Sequence, residues 1–126
     1  MKILIADDED VFRKLVCDFL IKDEYTVISA KNGKEALSLF QYNDDIDLVI
    51  LDVMMPEMNG LDVCKQIKSS GRNIPILILT AKDREEDQIK AFECGADDYI
   101  SKPFSFPIFL LRIKALLKRN DNENII

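Results

Sequence analysis

Polar residues stand where the short apolar runs of this chain stop. Asp7 and Asp8 follow Lys2–Ala6, Asp52 follows Leu48–Leu51, Thr80 follows Pro75–Leu79, and Lys102 lies just beyond Asp98–Ser101. Each alone reads as an ordinary loop residue. Gathered in one crevice they become three carboxylates, a hydroxyl and an ammonium. Two like charges 4 Å apart repel by ~4 kcal/mol at an effective dielectric of 20, so such a cluster calls for a counter-cation. A hard divalent ion fits: Mg²⁺ takes a few carboxylates, a carbonyl, waters and a phosphoryl oxygen. A carboxylate beside it can attack phosphorus to give an aspartyl phosphate, a reaction that needs mainly positioning and charge neutralisation. Asp52, ending a central run between the other groups, is the expected nucleophile. Asp7 and Asp8 are expected to hold the metal, with the carbonyl of Met54 completing the set.

Convergence depends on the elements between these residues. After Asp10 the apolar positions Phe12, Leu15, Val16, Phe19 and Leu20 fall at helical spacing and predict one buried face. Thr26–Ala30 reads as a second strand. Asn32 with Glu35 opens a helix carrying Ala36, Leu37 and Phe40. Asn59 caps a helix burying Leu61, Cys64 and Ile67. A helix with Ile89 and Phe92 closes at Gly95, and a last one runs from about Phe106 to Lys118. Strand and helix thus alternate five times. The strands are continuously apolar, which means a parallel sheet covered on both faces. The expected fold is α/β, a flavodoxin-like (βα)5 three-layer sandwich of order 2-1-3-4-5, with ligands beyond the carboxyl ends of the strands.

Composition narrows the chemistry further. The 126 residues suit one core. There is no histidine, which excludes Ser-His-Asp or Cys-His catalysis and His metal ligands. With 23 acidic against 17 basic residues, the chain is a poor match for nucleic-acid phosphates. Three cysteines at wide spacing, Cys17, Cys64 and Cys94, form neither a disulfide framework nor a zinc pattern; each reads as a small, mostly buried apolar side chain. Acids arrive before any signal-peptide core, and no apolar run is long enough to span a bilayer. The expectation is a cytoplasmic protein without membrane contact. Residues 1–119 form the domain, and residues 120–126 are a polar tail or the start of a linker to a C-terminal effector domain.

The ordered set Asp7-Asp8, Asp52, Thr80-Ala81 and Lys102-Pro103, with Pro56, Gly60 and Gly95-Ala96-Asp97-Asp98-Tyr99 between, resembles the receiver domain of two-component response regulators over roughly residues 2–119. The resemblance implies a phosphorylation-activated signalling switch rather than an enzyme with its own substrate, self-phosphorylating from a donor and losing the phosphoryl group by autodephosphorylation. Asp52 accepts the group from a sensor histidine kinase. Asp7, Asp8, Asp52 and the Met54 carbonyl bind Mg²⁺, for which Mn²⁺ can substitute. Thr80, Ala81 and Lys102 contact the phosphoryl oxygens, and the Lys102–Pro103 peptide is cis. Thr80 is drawn to the new charge, and Tyr99 rotates into the vacated space. Lys82, two residues beyond Thr80, is placed to tune the phosphoryl lifetime.

Within the family the chain looks closest to receivers of winged-helix transcription factors, which implies a homodimer on phosphorylation and DNA contact only through an attached domain. Ile89, Phe92 and Leu111 match the apolar patch of that dimer face. Asp98 with Arg112, and Glu93 with Lys114, match two of its ion pairs. Gln88 and Ile108 stand where a basic and an acidic residue are usual, and Pro107 is unusual nearby. Other readings fit less well. A flavin carrier needs a phosphate-cradling loop after strand 1, where this chain has Asp7-Asp8-Glu9-Asp10. A haloacid dehalogenase-type phosphatase has a second Asp where Met54 stands, and a cap domain for which there is no length. A degenerate receiver acting only by docking would not keep the full acidic and phosphoryl-contacting set.

Overall fold

The computed structural model describes residues 1–124, with side chains for residues 1–119. Five strands alternate with five helices: β1 (Lys2–Ala6), α1 (Asp10–Lys22), β2 (Thr26–Ala30), α2 (Gly33–Tyr42), β3 (Leu48–Leu51), α3 (Gly60–Ser69), β4 (Ile76–Thr80), α4 (Glu85–Glu93), β5 (Asp98–Ser101) and α5 (Phe106–Asn124). All strand pairings are parallel, in the order β2-β1-β3-β4-β5. This is the expected doubly wound topology.

The side chains of β1, β3 and β4 alternate between two cores. Leu4, Val49, Leu51, Ile76 and Ile78 pack with α2, α3 and Ala91 of α4. Ile3, Ile5, Ile50, Leu77 and Leu79 pack with Val16 and Leu20 of α1 and with Phe109, Ile113, Leu116 and Leu117 of α5. Both sheet faces are thereby covered, which explains why these strands carry no polar alternation. Asn32 and Asn59 cap as expected, accepting from the amides of Glu35 (2.7 Å) and Asp62 (3.0 Å). Gly95, at φ 101°, ends α4 in a Schellman turn: its amide bonds Phe92 O and that of Ala96 bonds Ala91 O.

Three local expectations are revised. Leu15 of α1 is exposed; Val16 and Leu20 face the core and Phe19 is half-buried against Phe106, because the buried stripe is narrower than the apolar one. β4 begins at Ile76 and includes Thr80, so the hydroxyl belongs to the strand rather than following it. α5 continues to Asn124, past Lys118; of the expected tail, residues 125 and 126 lie outside the described residues. Of the cysteines only Cys64 is fully buried, while Cys17 and Cys94 are half-buried.

Candidate functional site

Backbone pairing carries the polar residues to one edge. The amide of Asp7 donates to Ala30 O (3.1 Å), that of Asp52 to Ala6 O (3.0 Å) and that of Lys102 to Thr80 O (2.8 Å). Each strand end is thus pinned to its neighbour. The Arg13 guanidinium adds a bond of 2.7 Å to the Asp7 carbonyl. Behind Asp52, α3 starts so close that a Cβ on Gly60 would meet the Asp52 carbonyl oxygen at 2.1 Å; only glycine allows that approach.

At this edge one oxygen from each of Asp7, Asp8 and Asp52 lies within 4.8 Å of the others. Asp7 and Asp52 are buried and Asp8 is exposed at the mouth. Asp7 Oδ1 accepts from the Glu9 amide (2.9 Å) and Asp52 Oδ1 from the Met54 amide (3.1 Å). Lys102 Nζ donates to Asp7 Oδ2 and Asp52 Oδ2, each at 2.9 Å, and reaches Glu9 Oε1 at 3.4 Å. The Lys102–Pro103 peptide is cis.

Burial pushes the Asp7 carboxyl above its ordinary pKa; the hydrogen bonds from Lys102 and from the Glu9 amide oppose this, and the Asp52 charge adds to it. For Lys102, burial pulls the other way, but the bonds to Asp7 and Asp52 outweigh it and the ammonium is held above its usual value. One ammonium faces three carboxylates in this crevice. The excess negative charge and the all-oxygen donor set suit a hard divalent cation.

Thr80 is fully buried at the end of β4, its Oγ1 accepting weakly from the Lys82 amide at 3.4 Å. Ala81 and Lys82 are exposed. A groove of about 530 Å³ opens beside Asp8 between the β3–α3 loop and α4, lined among others by Met54, Met55, Leu61, Lys82 and Lys90. Tyr99 on β5 is only 8% exposed, and its buried hydroxyl has no hydrogen-bond partner among the described residues. The ring that was expected to turn inward is already inside.

On the outer side of α4 and α5, Ile89, Phe92, Ile108 and Leu111 are exposed. Arg112 pairs with Asp98 within the chain (2.9 Å), and Lys114 approaches Asp23 at 3.8 Å; Glu93 is exposed at the end of α4.

Sequence reasoning missed Glu9 as a third carboxylate partner of Lys102 and Arg13 as a clamp on Asp7. The unbroken run Asp7-Asp8-Glu9-Asp10 signalled the first. Nothing in the spacing signalled the second.

The family model described as the response regulator receiver domain matches residues 3–114. Response regulator MprA of Mycolicibacterium vanbaalenii is 43% identical over 98% of this chain and 53% of its own length. The alkaline phosphatase synthesis transcriptional regulatory protein SphR of Synechococcus elongatus is 40% identical over 97% of this chain and 51% of its own. The chain therefore spans about half the length of these curated relatives. Among solved structures, the receiver domain of Francisella response regulator 1452 superposes with a TM-score of 0.89 at 34% identity, covering 94% of this chain and 98% of that one. The chemotaxis protein CheY4 of Vibrio cholerae does so with 0.83 at 32% identity, covering 91% and 97%.

Proposed function

The chain belongs to the response-regulator receiver family of two-component signalling, and on that premise we propose that Asp52 is its phosphoacceptor, with the crevice around it as the reaction site. The observation that carries this is the shared ammonium: Lys102 stands 2.9 Å from both Asp7 and Asp52, so nucleophile, metal-binding carboxylate and charge-neutralising group form one unit. A carboxylate oxygen of Asp52 attacks phosphorus of a phosphohistidine on a sensor kinase. The phosphorus–nitrogen bond breaks, its electron pair returns to the imidazole, and the product is an acyl phosphate on Asp52. Lys102, Thr80 and the Ala81 amide receive the phosphoryl oxygens.

Asp7, Asp8, Asp52 and the Met54 carbonyl would hold Mg²⁺, or Mn²⁺ in its place. Bound there, the ion supplies neutralisation of the charge that gathers on the phosphoryl oxygens. Asp8, at the mouth, leaves an open side from which a donor approaches. The same crevice allows slow hydrolysis of the acyl phosphate, so the chain resets itself without being an enzyme for an external substrate.

The added phosphoryl group carries about 1.5–2 negative charges. Thr80 is drawn to it, and Tyr99, packed inside, is held there. The consequence is felt on α4, whose only core residue is Ala91. Ile89, Phe92 and Leu111, rimmed by Glu93, Asp98, Arg112 and Lys114, then form the homodimer face. Residues 1–119 are the receiver unit, residues beyond it lead to an effector, and control of transcription runs through an attached DNA-binding domain. Among the described residues no helix is long and apolar enough to cross a membrane, in keeping with a cytoplasmic place of action. The test is Mg²⁺-dependent phosphorylation by acetyl phosphate followed by sedimentation. The phosphorylated wild type should dimerise, and Leu111→Asp should accept phosphate yet remain monomeric.

A further inference from the structure

The two carboxylates that hold Lys102 are the groups expected to be occupied during phosphoryl transfer. Something else must then keep its ammonium in place. Lys102 Nζ lies 4.1 Å from the centroid of the Phe12 ring, the range in which an ammonium is attracted by an aromatic face. That ring is itself fixed: Phe104, two residues beyond Lys102, packs on it edge-on at 6.0 Å and 88°. Phe104 in turn contacts Phe106 and Phe109 at 5.5 and 5.0 Å, and Phe109 is fully buried at the root of α5. The ring above the ammonium is therefore anchored to the α5 core and not to solvent.

We propose that Phe12 is a positioning residue for phosphoryl transfer: its aromatic face holds the Lys102 ammonium over the crevice when the carboxylates are otherwise engaged. An apolar wall alone would shield the lysine from water without attracting its charge. The ring does both, because its face is electron-rich. Its attraction does not compete for carboxylate oxygens, so it persists through the reaction. This inference rests on the assignment of Lys102 as a phosphoryl-contacting group.

The experiment has two arms. In the first, the NMR signal of the Lys102 Cε methylene is compared in wild type and Phe12→Leu. The proposal predicts an upfield ring-current position in wild type that is lost in the variant; equal positions overturn it, whether or not Asp52 is the acceptor. In the second, Phe12 is replaced in the full chain by mono-, di- and trifluorinated phenylalanine, which keep its shape while weakening the negative face. Phosphorylation by acetyl phosphate should slow progressively, by about two- to tenfold overall, and Phe12→Tyr should keep the wild-type rate. A flat series in a wild type that does phosphorylate overturns the positioning role alone. A wild type whose Asp52 takes no phosphate overturns the functional assignment instead, and the lysine signal still decides whether the ring holds the ammonium.

Discussion

Lys102 and Asp52, fifty residues apart in sequence, meet through a single charge-assisted bond of 2.9 Å at the edge of the sheet. The ammonium divides itself between Asp52 and Asp7, and without it the two buried carboxylates would face one another bare. Removing one partner from a buried ion pair costs about 3–5 kcal/mol. Lys102→Met should therefore lower the stability of the metal-free protein by about 3 kcal/mol, and added Mg²⁺ should recover part of the loss. Urea unfolding with and without Mg²⁺ reads both effects; an unchanged midpoint would show that the pair contributes nothing to the fold.

Tyr99 carries the opposite kind of group, a polar atom inside with no partner among the described residues. A buried unsatisfied hydroxyl costs about 1–3 kcal/mol. Tyr99→Phe should accordingly be neutral or up to about 1 kcal/mol more stable, since the ring stays and the orphan oxygen goes. Denaturant titration checks this, and a clear fall in stability would mean that the hydroxyl has a partner in solution.

Cys64 offers a pH test. Burial pushes its thiol up to about 12, with the Lys68 charge opposing. A raised pKa means that the folded state keeps the proton longer than the unfolded chain. This contribution to stability is complete below about pH 9 and is lost as pH rises toward 12. Alkylation of the native protein at pH 8 should label half-buried Cys94 and Cys17 well before Cys64, as mass mapping would show; simultaneous labelling would contradict the assigned burial.

Lys82 lines the groove beside Asp8 and Met54 while its own amide touches Thr80 Oγ1. Its side chain is placed to restrict the water that hydrolyses the acyl phosphate. Lys82→Ala should shorten the phosphoryl lifetime about threefold, equivalent to about 0.65 kcal/mol of barrier. Loss of signal from labelled protein over time measures it, and an identical decay would remove Lys82 from the account.

Much of this architecture was legible because the apolar runs are short, continuous and separated by helical periods, which leaves few topologies. The three carboxylates, Thr80 and Lys102 could be placed together because each ends or follows a strand, and strand ends are set by backbone pairing. Side chains that act across elements were less legible. Leu15 shares the helical spacing of Val16 but falls outside the covered stripe. Glu9 reaches Lys102 only because the β1–α1 turn bends it there, and the stacking of Phe12 on Lys102 depends on Phe104, which no periodicity links to it. The inward ring of Tyr99 likewise follows from packing rather than from pattern.

The central claim is that Asp52, and no other carboxylate of the crevice, receives the phosphoryl group. Incubation with labelled acetyl phosphate and Mg²⁺, comparing wild type, Asp52→Asn and Asp8→Asn, tests it directly. Hydroxylamine-sensitive, base-labile label should map to Asp52 in wild type, be absent in Asp52→Asn and be strongly reduced in Asp8→Asn. Equal labelling of wild type and Asp52→Asn would contradict the assignment.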